Sequence, residues 1–251
     1  MDNRLGRPLG VHEASSLRGL FVALEGADAC GKTTHSGLLA KRLMMAGASV
    51  RTTSFPRRNT HVGVVVDRHL RRELWLTDGE YDWRSDKVTD IHRAPEDELV
   101  FQALNVLDKF EAAVDVEAWL GAGDVVVSSR WWQSAVVYGA VAGLDEERLL
   151  RMGAFLPRPH LNVLLTLSEE ETLIRRPELR DRLERDRERQ VKVRRKYLDF
   201  WAAEGKEDPL GWVVVDVEGS VADAHERIWA AIDVVRRGVV VKHAYPVHAH
   251  H

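Results

Sequence analysis

The stretch LFVALEGADACGKTT, Leu20 to Thr34, decides the fold. Phe21, Val22, Ala23 and Leu24 form an apolar run of the kind that fills a strand buried on both faces, and from Ser36 to Met45 apolar residues recur at helical spacing. Gly26 to Thr33 therefore lies between a strand and a helix, which is where a phosphate loop sits. Gly26 and Gly31 let the backbone curl so that successive N–H groups point inward at phosphate oxygens, and the helix beginning near Lys32 adds its positive end. The candidate ATP ligands are Gly26, Ala27, Asp28, Ala29, Cys30, Gly31, Lys32, Thr33 and Thr34. Lys32 is placed to reach the β- and γ-phosphates, and the Thr33 hydroxyl to hold Mg²⁺. A lysine at the positive end of a helix is electrostatically misplaced unless an anion is there. Cys30 reads as a small spacer, because the loop's chemistry comes from its amides and Lys32.

At 251 residues, 45% of them hydrophobic, the chain is long enough for one sizeable core, so a second independent domain is not needed. Residues 1–18 are polar with Gly6, Pro8 and Gly10, and read as a mobile arm ahead of one folded domain over 19–237. The tail, 238–251, ends in a polar stretch with several histidines and reads as a disordered end. A net charge of −3 gives no global case for nucleic acid, so any anion site has to be local. No apolar run reaches the length of a membrane span, and the single cysteine fits a reducing compartment. A cytoplasmic protein with no membrane partner is expected.

Farther along, Ser49 to Phe55 reads as a second strand that Pro56 stops, leaving Arg57 and Arg58 at its carboxyl end. Ligands of open parallel sheets bind outside the carboxyl ends of strands, so these cations are placed for an anionic group. His61 to Leu74 reads as a helix, Trp75 to Ala94 as an inserted flap, and Glu96 to Leu120 as a long helix ended by Gly121-Ala122-Gly123. Asp124 to Ser128, a valine-rich third strand, delivers Ser129-Arg130 to the same carboxyl edge. Leu161 to Leu167 and Trp212 to Val217 supply two more strands, and Val221 to Val235 a closing helix. Together these predict a doubly wound α/β phosphate-loop fold: a five-stranded parallel sheet, helices on both faces, and a short arginine-rich lid at about residues 175–185. Around Pro177, Arg175, Arg176, Arg180 and Arg182 are candidates for neutralising charge during phosphoryl transfer.

The acceptor follows from what the strand ends lack. A kinase acting on a sugar hydroxyl needs a carboxylate to take its proton, whereas the second and third strands here end in Arg57-Arg58 and Ser129-Arg130. A phosphate monoester has a second pKa of about 6, so it is already ionised and needs only positioning and charge screening. A nucleoside monophosphate is therefore favoured over a nucleoside.

Four motifs in order carry a family resemblance: LEGADACGKTT; Phe55-Pro56-Arg57-Arg58-Asn59-Thr60-His61-Val62-Gly63; Arg130 with Ser134 and Tyr138; and Asp181-Arg182-Leu183-Glu184. Over about residues 19–237 the chain resembles the thymidylate kinases. The resemblance implies an Mg²⁺-dependent transfer from ATP to a deoxynucleoside monophosphate, most simply dTMP, by a homodimer. It implies that Asp28 contacts the sugar 3′-hydroxyl or orders the phosphates, that Arg58 holds the acceptor phosphate, and that Arg130 touches the transferred group. Phe55 and Ser134 fall on the acceptor side, and Tyr138 crowds the sugar 2′ position. With Ala29 in place of a basic residue in the loop, the lid is left to supply the catalytic arginine, Arg182. Two departures stand out: Ser129 replaces the usual aspartate, and Lys109 replaces the arginine that reads the base, with Asn105 at the position of the stacking phenylalanine. A shifted alignment instead makes Phe101 the stacking ring and sets Asn105 opposite the base. A kinase for another pyrimidine or modified deoxynucleotide, and a regulatory module without transfer activity, remain alternatives.

Overall fold

The computed structural model describes residues 19–71, 81–82, 87–88, 95–168, 170–172, 183–207 and 211–236. The arm, the tail, most of the flap and the lid arginines Arg175, Arg176, Arg180 and Arg182 lie outside these. In chain order the elements are β1 (Phe21–Glu25), α1 (Lys32–Met45), β2 (Val50–Ser54), α2 (His61–Leu70), β3 (Tyr81–Asp82), β4 (Lys87–Val88) and α3 (Pro95–Gly121). They continue with β5 (Val125–Ser129), α4 (Trp132–Val141), α5 (Glu146–Gly153), β6 (Leu161–Thr166), α6 (Leu183–Glu207), β7 (Trp212–Asp216) and α7 (Val221–Arg236).

The main sheet runs β2-β5-β1-β6-β7 with every neighbour parallel, as expected. β3 and β4 form a separate antiparallel pair within the flap. β1 and β5 are buried at every residue, which explains why they read as continuous apolar runs and not as alternation. The strand period of two still sorts their side chains. Val22 and Leu24 face a core with Leu39 and Leu43 of α1 and Ile228 and Ile232 of α7. Phe21 and Ala23 face the other core, with Val116 of α3, Val137 of α4 and Phe200 of α6. From β1 the chain goes to the edge strand β2, returns to β5 beside β1 and then crosses to β6 and β7 on the other side, so the crevice of this topology opens at the carboxyl ends of β1 and β5.

Helix ends depart modestly from expectation. α2 stops at Leu70, with Arg71 as its C-cap, short of the Leu74 the pattern suggested. Two helices, α4 and α5, were not expected, although Asp145 caps α5 and Glu146 and Glu147 fill its first turn. α4 is buried nearly all round, from Trp132 to Val137, so it has no polar face to mark a period. The highly charged segment before β7 forms α6, and it is not wholly solvated: Val193, Tyr197 and Phe200 make a buried stripe at helical spacing. Of the two phenylalanines on α3, Phe101 is buried as a core residue would be, whereas Phe110 is 53% exposed.

Gly63 fixes the loop that carries Arg57 and Arg58. The Thr60 hydroxyl caps α2 by accepting from the Gly63 N–H at 3.2 Å, which draws the helix start against the loop. A Cβ on Gly63 would lie 1.9 Å from the Arg57 carbonyl oxygen, a clash with backbone that no rotamer relieves. Gly63→Ala is therefore expected to destabilise the protein by about 1–3 kcal/mol or more, the range of overpacked sites. Urea denaturation checks it; a variant as stable as the parent would mean that the loop shifts freely.

Candidate active site

The phosphate loop closes as the glycines require. Gly26 has φ 139°, and a Cβ there would sit 2.5 Å from the Leu165 carbonyl oxygen of β6, so only glycine fits between the strands. Gly31, at φ 85°, is the N-cap of α1; no side chain caps this helix and its first turn holds no acid. Its leading N–H groups are thus left for an anion. Thr33 and Thr34 are exposed, while Cys30 is buried.

Lys32 is 7% exposed and folds back on the loop. Its Nζ donates to the carbonyls of Gly26 at 3.0 Å and Ala27 at 2.5 Å, and to the Cys30 Sγ at 3.4 Å. Burial, reinforced by the nearby Arg130 guanidinium, lowers its ammonium below the usual lysine range. Arg130 enters from the end of β5 with a left-handed backbone, φ 71°. Its Nη1 donates to Gly26 O at 3.3 Å and Ser134 Oγ at 3.3 Å, and its Nη2 to Asp28 Oδ1 at 2.5 Å and Tyr138 Oη at 3.1 Å. Burial alone would push the Asp28 carboxyl up, but Arg130 and Lys32 beside it outweigh this and hold it below the usual carboxylate range.

Gln190 of α6 clasps Asp28 from both ends, its Oε1 accepting from the Asp28 N–H at 3.0 Å and its Nε2 donating to Oδ2 at 2.9 Å. Sequence reasoning missed it, since one glutamine in a charged helix carries no motif. It also missed Glu25 and Tyr197. A signal existed for Glu25: a carboxylate ending a strand buried on both faces must find partners.

A cavity of about 1210 Å³ joins the phosphate loop to the end of β2. Lys32, Thr33, Phe55, Arg57, Arg58 and Arg130 line it. Arg57 is the restrained cation, its Nε 2.8 Å from Asp108 Oδ1 and its Nη2 2.8 Å from Glu111 Oε2. Arg58 is 71% exposed and pairs with Asp67 at 2.9 Å. Ser134, Tyr138, Phe101, Asn105 and Lys109 lie outside the cavity's lining. Phe101 packs on His69 with ring centroids 4.6 Å apart, and the Asn105 Nδ2 donates to the Phe101 carbonyl. Lys109 is 1% exposed; its Nζ donates to Asn105 O at 3.0 Å and sits 4.8 Å from the Phe55 ring centroid.

A phosphate loop at the carboxyl edge of a parallel sheet in this order, facing a cation-lined cavity, defines a phosphate-loop nucleoside monophosphate kinase. The profile of the family described as Thymidylate kinase matches residues 87–228. A thymidylate kinase of a Synechococcus strain is 32% identical over 219 residues, spanning 85% of this chain and 94% of the relative. A probable thymidylate kinase of Pyrococcus horikoshii is 31% identical, spanning 86% and 97%. The chain belongs to the thymidylate kinase family. Solved structures share its fold: thymidylate kinase from Candida albicans matches with TM-score 0.65 at 21% identity, covering 86% of this chain and 92% of its own. That from Ehrlichia chaffeensis matches with TM-score 0.60 at 18% identity, covering 86% and 99%.

Lys109 gives the site a pH signature. Burial, only partly offset by Asp108 and Glu25, pulls its ammonium down from 10.5 to about 8. The unfolded chain then holds this proton more tightly, so the penalty on the folded state is full below about pH 8, and stability rises as pH climbs from there toward 10.5. Lys109→Met is expected to raise Tm at neutral pH and to lose that advantage as the unfolded lysine deprotonates. Thermal melts across this window check it; an offset independent of pH would mean that Lys109 titrates as in water.

Proposed function

We propose that the chain transfers the γ-phosphate of ATP to a deoxynucleoside monophosphate, with dTMP giving dTDP. The observation that carries this is the single cavity in which Lys32, Thr33, Arg58 and Arg130 face one another across the phosphate loop and the end of β2. In this reading an ionised oxygen of the acceptor phosphate attacks the γ-phosphorus while the bond to the β-γ bridging oxygen breaks, releasing ADP. No proton has to be removed, so positioning and charge screening suffice. Lys32 leaves the Gly26 and Ala27 carbonyls for the β- and γ-phosphates, Arg58 holds the acceptor phosphate, and Arg130 contacts the group in transfer. Asp28 contacts the sugar 3′-hydroxyl or orders the phosphates, and Tyr138 crowds the 2′ position.

The donor set suits Mg²⁺. Thr33, Ser129 and Asp115, oxygen donors all, line the same cavity, and among the described residues no cluster of three or more His, Cys, Asp or Glu forms a protein cage. Mg²⁺ is ordinarily held by one or two protein oxygens together with substrate phosphates and water. Thr33 would hold it, and the ion would neutralise charge on the β- and γ-oxygens.

A second reading, an acceptor that is another pyrimidine or a modified deoxynucleotide, is favoured because Lys109 is buried against the Asn105 carbonyl and lies outside the cavity's lining, so the charge expected to read the base is withdrawn from it. Homodimerisation is part of the proposal too. Val100, Leu107 and Val114 recur every seven residues on the outer side of α3, at 38%, 44% and 70% exposure. Sedimentation as a monomer would end that part. Among the described residues no helix is long and apolar enough to cross a membrane. A cytoplasmic setting is proposed on the single cysteine.

ADP production across a panel of nucleoside monophosphates tests the activity, with dTMP expected to be the best acceptor. Lys32→Ala is expected to lower kcat about 10²-fold or more while circular dichroism stays unchanged. Tyr138→Ala is expected to narrow the preference for dTMP over its ribose analogue. Turnover at the parental rate in folded Lys32→Ala would overturn the site assignment.

A further inference from the structure

Glu25 ends β1 with a carboxylate that has no exposed surface. Among the described residues no cation forms an ion pair with it; three neutral donors do the work. The Trp131 N–H reaches Oε1 at 2.6 Å, and the Ser134 Oγ and Tyr197 Oη reach Oε2 at 2.7 and 2.9 Å. Burial raises its carboxyl above the usual range despite these bonds. An apolar residue at this position would remove a costly buried charge, so the carboxylate is informative about what its donors need.

Those donors converge on Arg130. Trp131 is the next residue in the chain, and Arg130 itself sits at φ 71°, a conformation that a residue with a Cβ holds only when its surroundings over-determine it. The Arg130 N–H donates to Leu24 O at 2.9 Å, the Ser128 hydroxyl donates to the Arg130 carbonyl, and Glu25 fixes the peptide that follows. The Ser134 and Tyr197 hydroxyl oxygens lie 2.9 Å apart, both turned to Glu25, and each also receives Arg130 Nη1, at 3.3 and 3.5 Å. One carboxylate thus grips both the backbone and the hydroxyl partners of the same arginine.

We infer that Glu25 is a positioning residue for phosphoryl transfer: through the Trp131 amide it keeps Arg130 in its left-handed conformation, and through Ser134 and Tyr197 it aims the guanidinium over the phosphate loop. The inference rests on the reading of Arg130 as the contact to the transferred group. Because Tyr197 belongs to α6 and Glu25 to β1, two distant parts of the chain hold one side chain.

The test uses the full chain, with kcat, KM for each substrate and Tm measured for every variant. Glu25→Ala is expected to lower kcat about 10²-fold, the cost of misplacing a reacting group by about 1 Å, with KM for ATP within about twofold of the parent. Glu25→Gln, which keeps one acceptor oxygen, is expected to recover part of the loss. In an Arg130→Lys background Glu25→Ala is expected to cost little more, since the group it positions is gone. The same loss in both backgrounds, or a folded Glu25→Ala variant with parental kcat, overturns the inference. Should Glu25→Ala fail to fold, Tyr197→Phe decides: a drop in kcat of about fivefold, one hydrogen bond's worth, supports the inference and an unchanged kcat overturns it. Arg130→Lys alone separates the two levels, because parental activity there removes the reading of Arg130 itself.

Discussion

Two cations converge on one carbonyl oxygen. Lys32 Nζ and Arg130 Nη1 both donate to Gly26 O, at 3.0 and 3.3 Å, so two positive charges sit within a few ångströms in a largely buried place. Such a pair repels strongly where water is scarce. The surrounding structure is arranged to hold it: Asp28 pairs with Arg130, the loop carbonyls turn inward toward Lys32, and Tyr138 and Tyr197 present hydroxyls to the guanidinium. In the proposed reaction a phosphate group entering the loop draws Lys32 off these carbonyls and replaces the repulsion with attraction on both sides.

The same logic orders the proposed acceptor side. Arg57 is tied to Asp108 and Glu111 of α3, which anchors the loop, while Arg58 beside it is exposed and paired with Asp67. The close approach of Gly63 to the Arg57 backbone completes the clamp. One arginine holds the loop, and the other is left at the surface where a ligand could reach it.

Helix α3 breaks the usual amphipathic pattern: Glu98, Gln102, Asp108 and Lys109 are buried alongside Phe101, Ala112, Ala113 and Val116, while Val100, Leu107, Phe110 and Val114 face outward. A helix of this kind is poorly described by a rule that puts apolar residues inside. Phe110, whose residue type suits a core, is exposed there. Lys109 reads as a ligand of the acceptor base, yet the structure places it between the Asn105 carbonyl and the Phe55 ring. Its residue type was visible in the chain; its surroundings were not.

By itself the sequence determined the strand-loop-helix at Leu20 to Thr34, the other buried strands and the cationic ends of β2 and β5, because these are written in local periodicity, glycine placement and residue charge. It left α4 unread, since a helix buried all round has no period to display. Only the tertiary structure decided which polar groups meet. Glu25 and Tyr197 are 172 residues apart, and Asp28 and Gln190 are 162 apart. Their contacts depend on β1 lying at the centre of the sheet and on α6 packing across α4, neither of which is encoded in any one stretch of chain. Short-range patterns specify elements. The convergence of side chains on Arg130 is set by how those elements pack, and packing is a property of the whole chain at once.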